Sequence, residues 1–335
     1  MKKILALIVS GIIIFSACNK ADNTDDNLSS TAPITQRQCA SYDVLQQQLA
    51  ADPGLKARMD AIEDLTQRIQ NDPNAYRLLP DGTIEIPVVV NVLYKTAAEN
   101  ISQGQIQSQI DVLNEDYGGT NTDISSVPTV FQNVKAGTVK VKFVLDQIVR
   151  KATSKKSWSA NDAMKKSSQG GIDPTSPTTK LNMWACTLGQ GLLGYAQFPG
   201  GNSATDGVVI LNTAFGSRAK YASGYYINAY DKGRTATHEI GHWMNLRHIW
   251  GDATCGSDLV NDTPPHHTAN YGCPGTLSIT CTNNSTTNPF GFNREMTMNY
   301  MDYTDDACMY MFSAGQRTRM EAVFAVGGPR AGFRN

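Results

Sequence analysis

Three of the chain's five histidines fall within His238-Glu239-Ile240-Gly241-His242-Trp243-Met244-Asn245-Leu246-Arg247-His248, and all five lie between positions 238 and 267. Residues four apart share one face of a helix, so His238 and His242 can approach a single ion from a helix expected over about 233–246. Glu239 is rotated about 100° from His238 and can face a metal-bound water without being a ligand. His248 is six residues past His242, out of reach along a continuous helix, so the chain must turn sharply between them. Three neutral imidazoles leave a fourth position for water, whose pKa zinc lowers to about 7. A neighbouring carboxylate can take the proton as that water attacks a carbonyl.

The rest of the chain can house such a site. Its 335 residues allow one large domain or two ordinary ones, and 41% apolar with 18% charged residues excludes intrinsic disorder. The balance of 29 basic and 30 acidic residues gives no footprint for nucleic acid. The only long apolar run is N-terminal, which excludes a multi-span membrane protein.

Lys2 and Lys3 precede an apolar stretch from Ile4 to Phe15, too short to span a bilayer comfortably. It ends in Phe15-Ser16-Ala17-Cys18, which resembles the lipobox of bacterial lipoproteins. That resemblance implies a signal peptide over 1–17, lipidation at Cys18, and export to the cell envelope or cell surface, with release after further processing. Membrane contact would then be confined to the lipid anchor. Asn19 to Ser30 is polar and acidic and reads as a tether. Export makes cysteines disulfide-permissive. With Cys18 set aside, Cys255, Cys273, Cys281 and Cys308 cluster and suggest two disulfides, in any of three pairings that spacing does not resolve.

Residues 41–80 read as helical and polar, with Asp52-Pro53 as an N-cap and first helical position and Asn71-Asp72-Pro73 as a stop. From Ile84 the texture changes. Ile84–Tyr94 reads as a buried strand. Ser102 and Gln105 form a capping box ahead of Ile106, Ile110 and Leu113. Val139, Val141, Phe143 and Leu145 alternate with lysines as a half-buried strand. Residues 151–180 read as a surface excursion. Leu181–Cys186 and Gly207–Leu211 are further strands, 251–295 is irregular, and Ser313 with Gln316 caps a last helix. The composition break near 82 is the best domain boundary.

With its later Asn299-Tyr300-Met301-Asp302-Tyr303, the histidine run resembles the metzincin zinc metalloproteases, and within them the pappalysin (cytophagalysin) family. The metzincin pattern is H-E-x-x-H-x-x-G-x-x-H followed by a Met-turn. Asn245 stands where the family has Gly, and Asn is the next best residue at positive φ. The resemblance implies zinc held by His238, His242 and His248, Glu239 as general base, Met301 beneath the site, and Tyr303 assisting the oxyanion. The stretch Asp258-Leu259-Val260-Asn261-Asp262-Thr263-Pro264 resembles the family's calcium loop. The implied Ca²⁺ ligands are Asp258, Thr263 and the carbonyl of Asn261. The family also implies the pairings Cys255–Cys281 and Cys273–Cys308.

Related proteases use a pro-segment cysteine as a latency switch on the metal, and Cys39, with no evident partner, is expected to take that role rather than to be a free or disulfide-bonded surface thiol; Arg37 could hold the segment in an acidic cleft. Cys186 reads as an inert buried thiol. His266 and His267 read as loop residues. Leu192 to Pro199 resembles the cleft-lining edge segment. Family members that prefer Arg beside the scissile bond place an acidic residue near the counterpart of Cys308. Met309-Tyr310-Met311 follow it here, so that preference is not carried over.

The expectation is therefore an α/β metzincin catalytic domain over 83–335, with a twisted mixed sheet, an active-site helix and an irregular C-terminal subdomain. A signal peptide (1–17) and a tether with a small, mostly helical pro-segment (18–82) precede it. The expected activity is a monomeric, exported zinc endopeptidase acting on protein or peptide substrates and made as a latent precursor. The alternative is a surface lipoprotein that keeps a zinc site as a binding or adhesion module.

Overall fold

The run Ile84–Tyr94 forms strand β1 with the expected bounds, and it pairs in parallel on both sides. A strand so flanked and covered on both faces has no solvent side, which accounts for its near-continuous Val and Ile. Strands β2 (Val141–Ala152), β3 (Leu181–Cys186), β4 (Gly194–Ala196) and β5 (Val208–Leu211) complete a mixed sheet of order β2-β1-β3-β5-β4. All pairs are parallel except β4–β5, so β4 is an antiparallel edge strand. The computed structural model describes residues 34–72, 82–274, 281, 291–292 and 294–334. The expected signal peptide, Cys18 and the acidic tether lie outside the described residues.

Among the described residues there are five α-helices: α1 (Ser41–Ala51), α2 (Leu55–Asn71), α3 (Gln103–Gly118), α4 (Arg234–Trp243) and α5 (Ala314–Ala322). Strand alternation divides the interior in two. Val88, Val90, Met183, Ala185, Val208 and Ile210 face a core shared with Ile106, Ile110 and Leu113 of α3 and Ala236 and Ile240 of α4. Leu93, Trp184, Cys186, Val209 and Leu211 face a second core on the other side. Short β6 (Tyr271–Gly272) and β7 (Tyr303–Thr304) pair in parallel within the irregular C-terminal part.

Three local readings need correction. Residues 151–180 are not merely a surface excursion. Trp158, Ala163, Met164 and Lys165 are buried and cover the second face of the sheet. A few anchors among Ser, Lys and Thr do this, and average composition hides them. Asp52 caps the turn that leads into α2 rather than the helix's first assigned residue: α1 ends at Ala51, α2 starts at Leu55, and Gly54 N–H donates to Asp52 Oδ1 at 2.9 Å. Ser102 makes only half of a capping box. Its Oγ accepts from Gln105 N, but the Gln105 amide instead donates to the carbonyl oxygens of Phe215 and Tyr225. The capping box at Ser313 and Gln316 is complete.

Candidate active site

Helix α4 starts after Gly233, which sits at φ 81°, and carries His238, Glu239 and His242, all buried. Gly241 on the same helix has a packing reason. A Cβ there would lie 2.5 Å from Met301 Sδ, so the methionine of the Asn299–Tyr303 turn fits only beneath a glycine. The helix stops at Trp243. Leu246 N–H returns to Gly241 O at 2.9 Å, and Asn245 adopts φ 73°. The sharp turn demanded by the spacing is thus present, and Asn245 takes the left-handed conformation that the glycine would have taken.

This bend brings His248 back. His242 Nε2 lies 3.2 Å from His238 Nε2 and 3.1 Å from His248 Nε2. Each ring is held by its other nitrogen. His238 Nδ1 donates to Tyr300 O at 2.7 Å, His242 Nδ1 to Leu246 O at 2.8 Å, and His248 Nδ1 to Asp252 Oδ1 at 2.5 Å. With Nδ1 carrying the hydrogen, all three Nε2 atoms are lone-pair acceptors. Burial pushes the pKa of His238 and His242 well below the ordinary imidazole value, which favours the neutral ring in both. Three converging lone pairs without a proton between them repel one another, and a cation resolves that repulsion. The donor set fits zinc.

Residues 34–41 lie across this site. Ala40 N–H donates to Gly194 O at 3.1 Å and Leu193 N–H to Gln38 O at 2.9 Å, so the segment runs beside edge strand β4. Cys39 Sγ and the three imidazoles offer ligand atoms within 4.8 Å of one another. The Cys39 thiol lies 3.2 Å from Glu239 Oε2. Burial, then the Glu239 charge, pushes that thiol well above its usual range, so a thiolate here needs a cation beside it. Burial also raises the Glu239 carboxyl to about 7, against the opposing bonds from Cys39 and Ser41. Glu239 occupies space that only a glycine leaves. A Cβ on Gly194 would meet its Cγ and Oε1 at 2.9 Å. Tyr303 OH donates to Cys39 O at 3.1 Å, and its ring centroid is 5.0 Å from that of His248.

Ser41 and Asp306 were not legible as site residues. Ser41 Oγ donates to Glu239 Oε2 at 2.9 Å and accepts from Ala196 N–H at 2.8 Å. Only its proximity to Cys39 in sequence hinted at this. Arg37 is 1% exposed, and its Nη2 bonds Asp306 Oδ1 at 2.6 Å. Its Nη1 donates to Thr235 Oγ1 and its Nε to Thr304 O, with Tyr230 beneath the guanidinium. The acidic residue near Cys308 therefore exists, two positions before it rather than after it. The other oxygen of Asp306 accepts from Lys232 N–H and Arg234 N–H at the start of α4.

In the loop after His248, Thr263 Oγ lies 3.0 and 2.9 Å from the two Asp258 carboxylate oxygens and 2.9 Å from Val260 O. One hydroxyl hydrogen cannot serve three acceptors, and this oxygen-rich knot fits a hard cation. The Val260 carbonyl also meets this hydroxyl, and the residue Asn261 is exposed. Burial raises the Asp258 carboxyl to about 7. His266 is buried away from the trio, its Nε2 accepting from Met296 N–H at 2.8 Å. His267 is exposed. The disulfides are Cys255–Cys281 and Cys273–Cys308, with Cα separations of 5.8 and 5.4 Å, as the family resemblance implied. Cys186 is a free thiol buried in the second core.

Comparison with known proteins agrees with this geometry. Residues 193–325 match the Peptidase_M43 family model, described as pregnancy-associated plasma protein-A. An extracellular metalloprotease of Colletotrichum graminicola is 33% identical over 278 residues, covering 77% of this chain and 84% of that protein. A mutant of Tannerella forsythia promirolysin superposes with a TM-score of 0.77 at 40% identity, covering 89% of this chain and 97% of that one. Mature mirolysin from the same organism, in complex with a cleaved peptide, gives 0.69 at 43% identity over 76% of this chain and 97% of that one. With its histidine trio, Met-turn and mixed sheet, the chain belongs to the pappalysin family of metzincin metalloproteases.

Proposed function

We propose that this metalloprotease is an exported zinc endopeptidase, made latent by residues 18–82 and active as the domain from 83 onward. His238, His242 and His248 would hold the metal. When bound there, zinc supplies Lewis-acid polarisation of a carbonyl and a water of pKa about 7. Glu239 takes the proton of the attacking water and returns it to the leaving amine. The Tyr303 hydroxyl, once Cys39 is gone, donates to the developing oxyanion. The observation that carries this reading is the Cys39 thiol, 3.2 Å from the general base and beside three acceptor nitrogens. With a metal held by the trio, the Cys39 thiolate would be a further ligand and would exclude water. The likeness to promirolysin covers more of this chain than the likeness to mature mirolysin, in keeping with a removable N-terminal segment.

The pocket occupied by Arg37 bears on substrate choice. A buried carboxylate that accepts a guanidinium, with an aromatic ring beneath it, selects Arg in a substrate once Arg37 leaves. Calcium at Asp258 and Thr263, with Val260 O, would neutralise a buried carboxylate that meets no bonded cationic side chain among the described residues. Lipidation at Cys18 would hold the precursor at the envelope as a monomer, and processing would release the enzyme, in line with relatives named as extracellular. No described helix is long and apolar enough to cross a membrane.

The test is mass-spectrometric profiling of a peptide library cut by protein lacking residues 1–82, with and without a zinc chelator. Cleavage should stop with chelator, and Arg should be enriched on one side of the cut. Glu239→Ala should abolish cleavage while zinc stays bound. Activity in that variant would remove the proposed base, and an even residue distribution would remove the Asp306 pocket.

A further inference from the structure

The bend between the second and third histidines is tied down from behind. A helix end leaves carbonyls without partners, and here two buried arginines take them. Arg330 Nε donates to Trp243 O at 2.8 Å, and Arg319 Nε, on α5, donates to Asn245 O at 2.7 Å. The second bond falls on a sensitive unit. The peptide joining Asn245 to Leu246 is gripped at both ends, its N–H by Gly241 O and its carbonyl by Arg319. The next carbonyl, Leu246 O, fixes the ring of His242. Two residues further on comes His248. The Asn245 side chain does not help to hold the turn, because its Nδ2 finds no hydrogen-bond partner among the described residues.

The charges of the two arginines are met differently. Arg330 stacks on Trp243 and pairs with Asp206 through 2.7 and 3.1 Å bonds, all within 83–335. Arg319 is 1% exposed, and its fork closes on Glu63 of α2 through bonds of 2.8 and 2.5 Å. Around that pair, Leu65 and Ile69 of α2 pack against Ala322 and Ala325. The segment that covers the imidazoles from the front through Cys39 thus also grips their support from the rear.

We infer that Arg319 is a positioning residue for the three-histidine site, acting through the Asn245 carbonyl, and that Glu63 of the N-terminal segment sets its orientation. This rests on the zinc reading above. Arg319 touches neither substrate nor metal. Its effect is to keep the 245–246 peptide in the one plane from which His242 and His248 converge. Loss of an outer partner of a metal site typically weakens the metal by 10- to 100-fold, and an effect relayed through one peptide belongs near the lower end.

The experiment uses full-length protein and measures zinc affinity by competition with a chromophoric chelator, alongside thermal unfolding of the metal-free form. Wild type and His248→Ala bracket the scale. Failure of the wild type to bind zinc would sink the zinc reading itself, and is thereby distinguished from failure of this inference. Arg319→Met should weaken zinc by about tenfold, with metal-free unfolding remaining cooperative. Glu63→Gln, which keeps the shape of α2, should weaken it by a few fold. Arg319→Lys, which keeps the charge but not the fork, should fall between wild type and Met. Should Arg319→Met fail to fold, the Glu63→Gln and Arg319→Lys values decide. Wild-type affinity in a folded Arg319→Met overturns the positioning role, and wild-type affinity in Glu63→Gln overturns the coupling to the N-terminal segment.

Discussion

Replacing Arg37 with alanine tests the proposed latency at a buried ion pair. Arg37 and Asp306 are each 1% exposed and bonded at 2.6 Å. Removing one partner of a buried pair typically destabilises by about 3–5 kcal/mol, because the other charge stays buried without its counterpart. Asp306 is only half orphaned, since its second oxygen keeps the N–H groups of Lys232 and Arg234. The lower end, about 3 kcal/mol, is therefore the working figure, and at 1.36 kcal/mol per tenfold it raises the undocked fraction by about 100-fold. The loss falls on docking, because Arg37 contacts Thr235, Thr304 and Asp306 across the cleft. The assay is the initial rate of self-processing and of peptide hydrolysis by full-length precursor, with intact mass to follow the cut. Arg37→Lys keeps the charge but loses the fork and should give a smaller rise. Lys56→Ala, which breaks the exposed pair with Asp60, should change nothing measurable. A rate within threefold of wild type for Arg37→Ala, in a protein that still folds, would refute the argument that this pair holds the segment down.

Cys39→Ala should make the precursor active or quick to process itself. Ser41→Ala should raise its activity by about tenfold, since losing buried bonds to Glu239 and Ala196 is worth about 1–3 kcal/mol. Unchanged latency in either variant, read by the same processing assay, would remove that residue from the latch. Asn245→Gly should be neutral within about 0.5 kcal/mol in denaturant unfolding, because relief of strain offsets the added freedom of the unfolded chain. Asn245→Val should destabilise by about 2 kcal/mol at this positive φ, and equal stabilities would contradict the strain argument. Asp258, raised to about 7 by burial, favours the metal-free fold while protonated, and that advantage disappears as pH rises through about 7. Calcium takes the charged form. The calcium-induced rise in melting temperature should therefore grow between pH 5.5 and pH 8, and a pH-independent increment would count against the site.

Much of the fold was legible because hydrophobic period reports burial directly. Ile84–Tyr94 and Leu181–Cys186 read as strands with the bounds observed, since both are buried on two faces. Ser313 and Gln316 read correctly because a capping box is local. The same box failed at Ser102, where the Gln105 amide found distant carbonyls instead. Residues 151–180 misled because few positions in them do the packing.

What the sequence by itself determined was which three imidazoles and which carboxylate could meet at one site. Spacing along one helix fixes which side chains share a face, and a residue tolerant of positive φ at 245 permits the turn to His248. What only the tertiary structure decided was everything that arrives from elsewhere in the chain. Asp306 beneath Arg37, Ser41 on Glu239, and Arg319 with Glu63 behind Asn245 join residues more than 70 positions apart. Such pairs leave no periodic trace, because a hydrogen bond across a cleft constrains two positions in space and none of the residues between them.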